Sequence, residues 1–105
     1  MKSPVFVLKI SGNSMRPFAM DGDYAISTRV FLRPRIGEVI ILTSPNDGKM
    51  MIKRVKSVSR TDGEQRYFVE GDNRIRSTDS NTFGSIGRRD VIGKVLFISR
   101  KSKAR

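Results

Sequence analysis

Short apolar and β-branched runs recur along the chain, each bounded by turn-forming residues. That is the pattern of a small, mainly β domain built of antiparallel strands, with at most short helical turns. Strands are predicted over Val5 to Ile10, Tyr24 to Thr28, Glu38 to Thr43, Lys49 to Ser59, Arg66 to Glu70 and Val91 to Arg100. Between them, "SPNDG" (44–48) and "RTDG" (60–63) supply the Asn, Asp and Gly that favour tight turns between antiparallel strands. No long amphipathic helix is evident, although Ser14 to Ala19 has room for one short turn, and no internal repeat or low-complexity tract interrupts the pattern.

The run "KMMIKRVKSVS" (49–59) carries the most information. Residues two apart in a strand share a face, so Met51, Lys53, Val55 and Ser57 are predicted on one side and Ile52, Arg54, Lys56 and Val58 on the other. Lys53 therefore stands between apolar neighbours. From this stretch alone, a lysine that snorkels along apolar surface to water is the favoured reading. The alternative is a desolvated ammonium whose pKa falls toward neutrality, which is what a lysine general base requires.

Composition narrows the chemistry. The chain has 105 residues, the size of one domain, predicted over 1–99 with a basic tail over 100–105. It contains no Cys and no His, which excludes disulfides, thiol catalysis, Cys or His zinc sites and Ser-His-Asp triads. No cofactor or metal is implied. The net charge of +11 raises an anionic partner, either nucleic acid or an acidic membrane surface. The 21 basic residues are scattered, however, and the tail "RKSKAR" reads as a solvated, frayed terminus. Aromatics make up 8% and do not pair with basic residues in the manner of an RNA-binding sheet, so nucleic acid is disfavoured. No segment approaches the ~20 apolar residues of a membrane span.

With histidine absent, a serine nucleophile needs another base, and lysine is the available one. The loop "SGNSM" (11–15) exposes Ser14 between a predicted strand and a turn-rich stretch, and it would have to lie beside the strand that carries Lys53. The cluster "EGDNRIRSTDSNTFGSI" (70–86) reads on composition as a long solvated loop. Its functional alternative is a shell of hydroxyls and carboxylates around the base.

In order and spacing, "SGNSMRPFAMDGD" (11–23), "IKRV" (52–55) and "GDNRIRSTDSNTFGSI" (71–86) resemble three signature segments of the signal peptidase I family of Ser/Lys endopeptidases, and "GEVIIL" (37–42) resembles its intervening strand. The resemblance implies the signal-peptidase-like, repressor-cleavage-type β fold. It also implies Ser14 as nucleophile, Lys53 as general base and Ser77 as the hydroxyl that orients the lysine. Met15 and Pro17 match residues that shape the nucleophile's turn, Asp72 and Arg54 match a structural ion pair, and Asp79 matches a further structural carboxylate. Gly12 would let the backbone approach the substrate, and the Ser14 N–H would donate to the oxyanion. The implied partner is an extended leader or signal-type segment of a precursor protein, bound as an added strand, with small side chains at the first and third positions before the cut.

Four departures from the family pattern stand out. Gly12 occupies a position where some members carry an oxyanion-hole hydroxyl. Asn81 stands where Arg is frequent, and "RPFAMDGD" lacks the common Thr-Leu. The family's N-terminal membrane anchor is missing from a chain whose Met1 lies thirteen residues before Ser14, so the expectation is a minimal cytoplasmic member with possible peripheral contact to anionic lipid. It is similar in this to the small maturation proteases of nickel superoxide dismutase. Self-cleaving repressor-type regulators share the Ser/Lys pair, but their leading helix-turn-helix domain finds no room here. Oligomeric state is left open.

Overall fold

The run Val39–Thr43 is apolar on both faces because it lies in the middle of the molecule. The computed structural model describes residues 3–30, 33–73 and 78–101. Its strands are β1 (Val5–Lys9), β2 (Tyr24–Thr28), β3 (Val39–Thr43), β4 (Met50–Thr61), β5 (Glu64–Glu70), β6 (Ile86–Gly87) and β7 (Val91–Ser99). They form a single sheet in the order β1-β2-β7-β3-β4-β5-β6, with every pairing antiparallel. One helical turn, α1 (Ser80–Phe83), and a 3₁₀ turn (Arg88–Asp90) flank β6.

Two apolar clusters pack against opposite faces of β3. Val39 and Ile41 join Ile10, Met15, Ala19, Ala25, Ile52 and Val95 in one. Ile40 and Leu42 join Val55, Tyr67, Val69, Ile86 and Val91 in the other. A strand buried on both faces loses the polar alternation of a surface strand and reads as a continuous apolar run.

The six predicted strands are present, with ends shifted by one or two residues. The sequence pattern missed β6, whose two residues sit among glycines and serines, and α1. The face assignment along β4 also needs correction. The β4–β5 register shifts between Val55 and Ser57, leaving Lys56 as the extra residue of a bulge. Strict alternation ends there, and Val58 packs with the cluster of Met51 and Val55 rather than opposite it. At the far end of the hairpin, Asp62 (φ 52°) and Gly63 (φ 80°) form the two-residue turn that "DG" predicts.

On β7, Gly93 is required by close approach. A Cβ there would meet the Phe6 ring at 2.8 Å and the Thr28 carbonyl oxygen at 3.0 Å. Gly93→Ala is expected to lower the unfolding free energy by about 1–3 kcal/mol in urea titration, the usual cost of overpacking.

Candidate active site

Ser14 rides on a loop (11–23) with a closed neck. The Ile10 N–H donates to the Asp23 carbonyl (2.7 Å) and the Gly22 N–H to the Ile10 carbonyl (2.8 Å). Inside the loop, Asp21 Oδ1 accepts from the Gly12 N–H (2.7 Å), and the Ala19 N–H donates to the Met15 carbonyl (3.0 Å), giving the short turn foreseen over 14–19. Met15 and Ala19 are buried in the first apolar cluster, so the residue just after Ser14 is anchored while Ser14 itself stays half-buried. Pro17 is exposed and follows a cis peptide bond. Gly12 has φ +86°, the left-handed region, with open space where a Cβ would stand; its requirement is conformational rather than steric.

The base of this loop rests on Asp23. Its buried carboxylate accepts from the backbone N–H of Lys101 (2.8 Å), the backbone N–H of Met20 (3.0 Å) and Arg100 Nη1 (3.1 Å). The Lys101 amide, then the Met20 amide, hold its pKa below the ordinary 3.8. Arg100 and Lys101, read as the start of a frayed tail, are therefore tied to the loop that carries Ser14.

Lys53 lies opposite Ile40 of β3. It is 2% exposed, so it does not snorkel to water and its side chain is desolvated. Burial pushes its pKa below the ordinary 10.5, and the negative charge of Asp79 partly opposes the shift. Asp79 is buried as well and caps α1: Oδ1 accepts from the Asn81 N–H (3.0 Å) and Oδ2 from the Gly71 N–H (3.1 Å). Asn81 Nδ2 donates to Asp79 Oδ1 (3.0 Å) and to Glu70 (2.9 Å), so the amide supplies donors to Asp79 where the family pattern has a guanidinium. Ser80 is buried too, its hydroxyl accepting from the Val69 N–H (2.9 Å). At these positions the segment is packed against β5, not a solvated loop. Ser77 lies outside the described residues.

Two residues connect the pieces. Arg54 makes a two-pronged ion pair with Asp72 (Nε–Oδ1 2.8 Å, Nη2–Oδ2 2.7 Å), donates through Nη1 to the Gly37 carbonyl (2.7 Å), and lies 5.0 Å from the centre of the Phe18 ring in the Ser14 loop. Asn73, within the segment 71–86, has a tethering role that the resemblance does not assign. Its N–H donates to the Ser14 carbonyl (2.8 Å) and its Nδ2 to the Asn13 carbonyl (3.0 Å). The segment 71–73 is thus bonded to the backbone of Ser14 on one side and to the neighbour of Lys53 on the other. Among the described residues, no helix is long and apolar enough to cross a membrane, and no three acidic side chains gather to hold a metal ion.

The mainly antiparallel β domain is the fold that the sequence resemblance implied. The chain belongs to the Peptidase S24-like family, which matches residues 1–96. It is also similar to the mitochondrial inner membrane protease subunit 2 of Saccharomyces cerevisiae, with 29% identity over 119 aligned residues that cover 90% of this chain and 67% of that protein.

Proposed function

We propose that this protein is a serine endopeptidase that uses Ser14 as nucleophile and Lys53 as general base to remove a leader or signal-type peptide from a precursor. The observation that carries the reading is the burial of Lys53 at 2% exposure, with its pKa lowered by desolvation. Burial disfavours the ammonium form, so such a lysine gives up its proton more readily than one in water, which is what a general base requires.

In the proposed first step, the neutral Lys53 amine takes the hydroxyl proton as Ser14 Oγ attacks the scissile carbonyl carbon, moving an electron pair onto the carbonyl oxygen. The Lys53 ammonium then protonates the leaving amine as the C–N bond breaks, leaving an ester on Ser14. Water, losing its proton to Lys53, attacks that ester, and the proton returns to Ser14 Oγ as the acid departs. The Ser14 N–H suits the oxyanion, since no group among the described residues accepts from it. The Gly12 N–H is already engaged by Asp21, so a second donor must come from elsewhere. Following the family resemblance, Ser77 would orient the lysine.

The test is cleavage of leader-type peptides with Ala at varied positions. Ser14→Ala is expected to lower the rate by at least about 10³-fold, the scale seen when a nucleophile is removed. Equal cleavage by both proteins would remove Ser14 from the mechanism.

A further inference from the structure

Six arginines from three separate segments line one concave cavity of about 840 Å³. Arg33 and Arg35 precede β3, Arg60 and Arg66 lie on the β4–β5 hairpin, and Arg88 and Arg89 occupy the 3₁₀ turn after β6. Glu64 and Asp90 are the carboxylates of the lining, and Asp90 Oδ2 already accepts from the Gly87 N–H (3.0 Å). Arg66 is fixed to the hydroxyl (3.2 Å) and carbonyl (2.7 Å) of Ser85. The other five guanidiniums form no ion pair among the described residues. Uncompensated like charge in a concave site raises the local potential and favours an anionic occupant.

The backbone around the cavity indicates which anion fits. β6 pairs only with Arg66 and Tyr67, so the Glu64–Gln65 end of β5 has no partner strand on its outer side among the described residues. An open strand edge beside guanidiniums fits an extended peptide. Its main chain can bond to the edge while its carboxylates meet the arginine forks. Glu64 and Asp90 disfavour a nucleic-acid backbone, which presents phosphates at every step, whereas a peptide can set neutral residues opposite them.

We propose that this cavity binds an acidic, extended peptide segment. Resting on the peptidase reading, that segment belongs to the precursor. Arg60 is seven residues from Lys53 along β4, about 23 Å at strand spacing, so the acidic stretch lies at least about seven residues from the cut bond.

The test measures binding on a protein that cannot cut, which separates this proposal from the peptidase reading. Fluorescein-labelled hexaglutamate is titrated with the full Ser14→Ala chain at low salt and followed by anisotropy. Saturable binding is expected, weakened about tenfold or more by Arg88→Ala/Arg89→Ala and about threefold by Arg60→Ala. Lys9→Ala/Lys49→Ala, which removes two charges elsewhere on the surface, is expected to stay within about twofold. Thermal melts report folding of each variant, and Arg60→Ala decides the matter should the double variant unfold. Absence of saturable binding, or equal losses in the Lys9/Lys49 protein, overturns the proposal. Tighter binding of single-stranded oligothymidylate than of hexaglutamate at the same salt assigns the cavity to nucleic acid and also overturns it.

Discussion

Lys53→Met is expected to abolish cleavage, with kcat/KM at least about 10³-fold below wild type, while the protein melts at a higher temperature. The two effects have one cause. Burial at 2% exposure makes the ammonium costly, and that cost is what lowers the pKa of the amine that the proposed mechanism uses as its base. The sign of the pH dependence follows. The folded-state pKa lies below 10.5, so between that value and 10.5 the unfolded chain binds more protons than the folded one. Stability therefore rises with pH through that window, and the charge-burial cost is fully present below it. kcat/KM is expected to rise with pH along one ionisation below 10.5 and then level off. The Met protein should lack this segment of the stability profile. Lys53→Arg retains a positive charge near Asp79 but cannot lose a proton, so it should be as inactive as the Met variant. Cleavage by Lys53→Arg at a tenth of the wild-type rate or more would show that position 53 serves as a charge and not as a base.

How much of this was legible in the sequence depended on how local each signal was. Tyr24–Thr28 and Val39–Thr43 are short runs of mainly apolar and β-branched residues and emerge from the pattern alone. The bulge at Lys56 does not, because it is set by pairing with β5 and leaves no mark within β4. Lys53 reads more readily as a snorkelling side chain, since its surroundings come from elements remote in sequence: β3 paired beside it and the charge of Asp79 acting on it. Asn73 leaves no signal in the sequence because both of its bonds go to backbone carbonyls of Asn13 and Ser14, so no complementary side chain advertises the contact. The arginines of the cavity looked scattered for a related reason, being drawn from stretches at 33–35, 60–66 and 88–89 that only the fold brings together. Arg54 and Asp72 were found through the motif, which encodes the pair but not the Phe18 and Gly37 contacts that make Arg54 a junction.

Asp72→Asn is expected to lower activity by about 10- to 100-fold and stability by about 1–3 kcal/mol, the range for hydrogen bonds to charged groups. The carboxylate takes two guanidinium bonds, and the side chains are 26% and 21% exposed, which shields the pair from much of the screening that weakens surface ion pairs. By contrast, Lys94–Glu38 is a single contact at 3.2 Å, so Glu38→Gln should cost well under about 1 kcal/mol. The loss of activity arises by displacement. Asp72 precedes Asn73, whose two bonds hold the backbone of Asn13 and Ser14, and Arg54 also touches Phe18 of the same loop. Releasing the pair frees both tethers, and a shift of about 1 Å in Ser14 is enough to remove two orders of magnitude in rate. Arg54→Lys retains the charge but loses the two-pronged geometry, so it should recover only part of the stability. A double-mutant cycle on Arg54→Ala and Asp72→Ala should return a coupling of about 1–2 kcal/mol in unfolding. Because these residues position the loop rather than exchange protons, kcat should fall while the ionisation seen in the pH–rate profile stays in place. A displaced ionisation would instead show that the pair acts on the charge of Lys53.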